Sequence, residues 1–384
     1  MAGVNLGLRA MRPRDPDEPH RAASPLELFF DLVFVVAVSL SSAALHHSES
    51  GGHIGAGVGS YLLVFFGIWW AWMNFTWFAS AFDVDDWLYR VTTLVQMAGA
   101  LVLAAGTPSA MAGEGYGVLV AGYVVMRLAM VTQWLRAARS HPELRVTALR
   151  YAGGIVVVQL LWIAWVLVDP HPVGFVVLAL AEMAVPVVAE RARTTPWHPH
   201  HIAERYSLFT LILLGESVLA STTAVVDALS SAEHLGPLLL LSACGLVLAA
   251  GMWWVYFARD QHEHLRAMPR ALVHGYGHYL VFAAAGAFSA GIEVAVDVDT
   301  TATGLSAAAA GATLTVPVAL FVLGVWALAL RPTLTAGRSA AVVVLAGLLG
   351  LSAFAPFTPV VAAVVMVAVV VTVETAPARN IVAA

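Results

Sequence analysis

The sequence predicts an all-α fold: a polytopic integral membrane bundle of about twelve transmembrane helices in two parallel repeats of about six. Three observations carry this reading. The 384 residues are 60% hydrophobic and only 11% charged, with mean hydropathy +0.82, where soluble proteins carry about 25% charged residues. Apolar runs long enough to cross a bilayer recur along the whole chain. The basic residues, all arginine, fall in alternate connections between those runs. A net charge of −5 with no long basic stretch argues against nucleic-acid binding. The single cysteine, Cys244, rules out disulfide frameworks and thiolate zinc clusters.

The first set of runs lies near 28–45, 58–78, 88–106, 117–135, 152–168 and 173–189. The second lies near 202–228, 237–257, 272–294, 302–330, 340–354 and 358–373, the last two parted by a short turn at Pro356 and Pro359. A stretch of about 18 apolar residues reads as a membrane helix. The first run is not taken as a cleaved signal peptide, because Glu27 and Asp31 intrude on it.

Arginine placement tests the span count. Arg9, Arg12, Arg14 and Arg21 precede the first span, and Arg90, Arg136, Arg139, Arg145 and Arg150 flank the second and fourth connections. Arg191, Arg193 and Arg205 mark the sixth connection, and Arg259, Arg266 and Arg270 the eighth. Arg331 and Arg338 mark the tenth, with Arg379 at the C-terminal end. Cytoplasmic loops collect positive charge, so both termini are expected in the cytoplasm. Arg127 alone falls inside a span.

The halves read as copies. Residues 62–72 (LLVFFGIWWAW) are echoed by 246–256 (LVLAAGMWWVY), 99–106 by 286–291, and Arg150 by Arg338. Glu27 and Glu204 open the two halves. An even number of spans per half makes the repeats parallel. The expected organisation is an N-terminal tail 1–23, a first repeat 24–190, a linker 191–200, a second repeat 201–375 and a tail 376–384. Small residues along the spans read as packing, and Trp87, Trp134 and Trp197 as interfacial anchors.

Ionisable groups inside spans are functional candidates by default, since burying each costs from about 3 to more than 10 kcal/mol. They are Glu27, Asp31, Arg127, Glu182, Glu216, His274 and His278. Arg127 lies nine residues before Arg136, and Glu182 eight before Glu190, so both sit at one depth and are expected to pair. Glu27 and Asp31, four apart, share a helix face and repel. Glu27 reads as a cap behind Ser24-Pro25, and Asp31 as functional. Glu216, twelve residues beyond Glu204, falls about 18 Å into the membrane, near the midplane where transporter sites lie.

His200, His201, His262 and His264 gather by topology on one side and are weak metal candidates, although their spacing matches no metal signature. His200 and His201 are equally able to pair with Glu204. His274 and His278 share a helix face, which aromatic packing explains more simply than haem. Asp83, Asp85, Asp86 and Arg90 resemble a hard-cation loop but read better as a solvated turn with a helix cap. No nucleotide, hydrolase or metalloprotease motif occurs, and no cofactor is implied.

Residues 24–38 (SPLELFFDLVFVVAV) and 198–220 (HPHHIAERYSLFTLILLGESVLA) strongly resemble the bacterial low-temperature-requirement A (LtrA) family. Residues 69–90 and 274–293 extend the similarity over nearly the whole chain. The resemblance implies a multi-pass bacterial inner-membrane protein linked to growth in the cold, and supplies no catalytic residue. One departure is Tyr256-Phe257-Ala258, where related sequences show Tyr-Phe-Asp.

Three functions follow. The first is a proton- or ion-coupled carrier of a small solute, with Asp31, Glu216, Glu182 and Arg127 around one wet pocket. The second is a non-catalytic membrane factor for cold growth, whose buried charges lock packing. The third is a metal- or haem-binding membrane enzyme. The bilayer is the partner the sequence names; the solute and oligomeric state are open.

Overall fold

The computed structural model describes residues 7–15, 18, 21–230, 235–300 and 303–375. Among these it holds twelve α-helices. The first six are α1 (Pro25–Ser50), α2 (Ile54–Ala81), α3 (Trp87–Met111), α4 (Gly117–Ser140), α5 (Arg145–Val168) and α6 (Pro172–Ala189). The second six are α7 (Pro199–Ser230), α8 (Leu235–Phe257), α9 (Met268–Thr300), α10 (Ala307–Val325), α11 (Ala336–Leu351) and α12 (Thr358–Glu374). Eleven helices are long and apolar enough to cross a membrane. At 17 residues, α12 is about 25 Å long, slightly under the hydrocarbon thickness of about 30 Å.

The helices begin where backbone chemistry allows, not where hydropathy rises. Asp86 caps α3 by accepting from the Tyr89 N–H at 2.9 Å. The His171 ring accepts from Gly174 N–H at 3.2 Å ahead of Pro172, the first residue of α6. Ser306 caps α10 through the Ala309 N–H at 3.2 Å. Likewise α5 starts at Arg145 and α7 at Pro199, earlier than their apolar runs, and Arg145, Arg150 and Arg205 lie on helices, not in loops.

The chain divides into two compact units. Unit 1 comprises the described residues up to Ser41 with Leu62–Tyr206; unit 2 comprises Ser42–Tyr61 with those from Ser207 onward. In unit 1 a Cβ on Gly106 would overlap the Leu119 backbone, so glycine sets the close approach of α3 to α4. In unit 2, Gly291 plays the same part for α9 against Thr313 of α10.

Aromatic side chains fill unit 1. Trp69, Trp70, Trp72, Phe30, Phe34, Phe65 and Phe75 are fully buried. The Phe30 and Phe75 rings lie 4.0 Å apart, and Trp134 stacks on Tyr151 at 4.0 Å. The outward faces are apolar too: Val157, Leu160 and Leu161 of α5 and Leu180 of α6 are exposed. Hydrocarbon is the solvent such faces fit, and this membrane protein contacts the lipid bilayer through them.

The segment before α1, expected as a tail, packs into unit 1 wherever it is described. Arg12 and Pro13 pair antiparallel with Asp83 and Phe82. Met11 is fully buried, and its N–H donates to Ser140 Oγ at 3.1 Å. Arg21, also buried, donates to the Ser80 and Ala79 carbonyls at 2.5 Å each, closing the C-terminal end of α2.

Candidate functional site

Two networks of buried charge lie within unit 1, on opposite sides of α2. The first joins α1, α2 and the opening turns of α7. Ser24 and Glu27 form a reciprocal cap: Ser24 N–H donates to Glu27 Oε2 at 2.6 Å, and Glu27 N–H to Ser24 Oγ at 3.3 Å. The cap orients the other oxygen inward. Glu27 Oε1 lies 3.2 Å from Arg205 NH1, 3.2 Å from His201 Nε2 and 3.6 Å from Arg21 NH2. One turn on, Asp31 is forked by the same guanidinium: Arg205 NH2 donates to Oδ1 at 2.5 Å and Nε to Oδ2 at 3.1 Å. The Trp72 indole N–H adds a third bond, to Asp31 Oδ1 at 2.7 Å. The repulsion expected between Glu27 and Asp31 is thus absorbed by an arginine that bridges both.

Every member of this network is nearly excluded from solvent. Two carboxylates face two guanidiniums, so the fixed charges balance. Protonation of His201 would add one positive charge to this balance. Among the described residues neither of its ring nitrogens has a hydrogen bond of good geometry, and Glu27 Oε1 has none either.

The second network holds the expected Arg127–Glu182 pair, at 2.8 Å and almost wholly buried. Glu182 is saturated: Oε2 also accepts from Trp70 Nε1 at 3.1 Å, and Oε1 from Gln159 Nε2 at 2.8 Å. The Arg127 guanidinium stands over the Tyr123 ring at 5.7 Å.

Trp70 and Trp72 are two residues apart, about 200° around a helix, so α2 presents one indole N–H to each network. This arrangement corrects the expectation of one wet pocket. Asp31 and Glu182 are each enclosed by protein donors on different faces of α2. Glu216 belongs to unit 2 and is half-exposed.

The other candidates have plainer places. Glu204 is half-buried, and its Oε2 accepts from the Ala23 N–H at 3.1 Å, tying the N-terminal segment to α7. His200 is exposed, while His201 pairs with Glu27 and not with Glu204. His262 bonds Asp260 Oδ1 at 2.6 Å on the surface, and the side chain of His264 lies outside the described residues. Within unit 2, His278 Nε2 meets the Tyr256 hydroxyl at 3.0 Å, and its Nδ1 meets the His274 carbonyl at 2.7 Å. Both ring nitrogens are thereby engaged in packing. Among the described residues no three His, Cys, Asp or Glu side chains gather to hold a metal ion. The loop carboxylates divide likewise: Asp86 caps α3 and binds Arg136 at 2.6 Å, whereas Asp85 forms an exposed pair with Arg90 at 2.7 Å.

Sequence reasoning missed Arg205, Arg21, Trp70 and Trp72. The signal for Arg205 was available: Ile202, Arg205, Tyr206, Phe209 and Leu213 form one helical stripe, and all are buried.

A family profile described as bacterial low temperature requirement A protein (LtrA) matches residues 22–375. An uncharacterized protein of Rhizobium meliloti (strain 1021) is 31% identical over 264 residues, covering 66% of this chain. The match spans 62% of that relative's length.

Proposed function

This chain belongs to the bacterial low temperature requirement A family, and we propose that it is a proton-coupled carrier of a small solute in the bacterial inner membrane. The coupling proton resides in the Glu27–His201–Arg205–Asp31 network. One observation carries the reading: a fully buried imidazole stands 3.2 Å from a carboxylate inside a membrane helix, beside charges that already balance. One added proton would leave this cluster with net positive charge. A sealed cluster of that kind stabilises one arrangement of α1 against α7 when protonated and another when not.

Recurring contacts support two parallel halves. Trp70 of α2 donates to Glu182 of α6, and Trp254 of α8 donates to Glu374 of α12 at 3.0 Å. Arg150 reaches the Val188 carbonyl at the end of α6, and Arg338 the Thr372 carbonyl at the end of α12. With arginines in alternate connections, both termini belong in the cytoplasm.

The test is proton flux into liposomes holding purified protein, read by an internal pH dye across a panel of candidate solutes. His201→Gln and Glu27→Gln are expected to reduce solute-dependent flux at least tenfold. Flux unchanged in both variants, or none in the wild type with any solute, overturns the reading. A second reading, a non-catalytic factor for growth in the cold, is favoured by the saturation of Glu182. It expects Glu182→Gln and Glu27→Gln alike to lower stability, with no flux to lose.

A further inference from the structure

Within unit 2 the last two turns of α1 meet α9 through a second charged cluster, at the opposite end of α1 from Glu27. Ser42, His46 and Ser50, spaced four apart, form one stripe of α1. Ser42 Oγ donates to the Gly286 carbonyl at 3.0 Å, which sets the register. His46 then stands between two carboxylates that are themselves four apart on α9. Its Nδ1 lies 3.0 Å from Glu293 Oε2 and its Nε2 2.7 Å from Asp297 Oδ2. Ser50 Oγ donates to the same Asp297 oxygen at 2.6 Å.

Counting donors decides what this geometry requires. A neutral imidazole has one N–H and one lone pair, and an ionised carboxylate only accepts. With both carboxylates charged and the ring neutral, one of the two short contacts would set a lone pair against an oxygen. One further proton, on the ring or on a carboxyl, removes the conflict. We propose that His46, Glu293 and Asp297 form a proton-binding site that is occupied at neutral pH and fastens α1 to α9.

Two other features agree. Glu49, one position before Ser50, is 4% exposed, and its Oε2 has no hydrogen-bond partner among the described residues. Burying a lone carboxylate is costly, so Glu49 adds a second protonatable group beside the site rather than a fixed charge. The His46, Glu293 and Asp297 side chains retain 15%, 38% and 29% of their exposure, so solvent reaches the site. Among the described residues, the His47 ring lies 5.0 Å from that of His46, and Tyr61 of α2, which faces Glu49 and Tyr279, donates its hydroxyl to the Ala283 carbonyl at 2.8 Å. The site stands whether or not the protein is a carrier.

Ring-15N histidine NMR of the full chain in lipid nanodiscs tests it, with His46 assigned by the signal lost in His46→Gln. The expected spectrum at pH 7 shows His46 with both ring nitrogens protonated, reverting to one on alkaline titration. The double variant E293Q/D297N should lower the proton affinity at least tenfold, moving the titration one pH unit or more towards acid. Each single variant should move it the same way by less, which preserves the test if the double variant does not fold. A neutral ring at pH 7, or a titration unmoved by these variants, overturns the proposal. So does stoichiometric binding of added Zn²⁺ or Mn²⁺ that displaces the ring protons, which would make the cluster a metal site.

Discussion

Arg127 and Glu182 illustrate how a buried charge holds a membrane bundle together. Removing one partner strands the other in a low-dielectric interior, at a cost of about 3–5 kcal/mol. Glu182→Gln keeps the shape but leaves the Arg127 guanidinium, 1% exposed, without its counter-charge. We expect a loss within that range in Glu182→Gln, and a smaller loss in the double substitution Arg127→Met, Glu182→Leu, both read from unfolding in detergent. Depth arithmetic made this pair legible in the sequence because each residue could be counted from a charged helix end. Arg205 escaped the same reasoning. It lies in the third position before Leu208, among polar residues where hydropathy is still rising, so it passed for a loop arginine. Its burial depends on α1 and α2 closing over it, which no local pattern records. The stretch 62–72 was noticed as a repeat marker, but the indole N–H groups of its Trp70 and Trp72 have acceptors on α6 and α1, distant in sequence.

At the scale of elements, helix ends show the clearest chemistry. Burial works against charge on Asp86, but the N–H groups of Tyr89 and Arg9 and the Arg136 guanidinium outweigh it and hold the carboxyl below its usual range. A depressed pKa confers stability that is complete above the unfolded value of about 4 and is lost as pH falls through the lower folded value. Asp86→Asn should therefore cost about 1–2 kcal/mol at pH 7. The gap from wild type should narrow below pH 4, as thermal unfolding at a series of pH values will show. The turn between α11 and α12 offers the reverse case. Phe357 is exposed and left-handed at φ 57°, a conformation that strains any residue with a Cβ. Phe357→Gly should raise stability by about 0.5–1 kcal/mol, measured as a higher midpoint of thermal unfolding.

For the whole molecule, composition and periodicity displayed the membrane bundle and most of its spans. The packing of the described N-terminal residues stayed hidden, because their contacts with Ser140, Ala81 and Phe82 carry no periodic signature. Orientation can be tested directly, since Cys244 is the single cysteine and is buried. In a Cys244→Ser background, Glu143→Cys and Glu114→Cys place exposed thiols at successive connections. We expect a membrane-impermeant maleimide added to intact cells to label Glu114→Cys and spare Glu143→Cys. Labelling of both, or the inverse pattern, would contradict termini on the cytoplasmic side.

The two indoles of α2 have a mechanical corollary. A rod keyed on opposite flanks resists twisting, because a turn that relaxes one key shears the other. Trp70 holds α2 to α6, and Trp72 holds it to α1, so α2 cannot spin about its long axis without breaking an indole bond to a carboxylate. The unit 1 part of α2 is thereby held to α1 and to α6 at once.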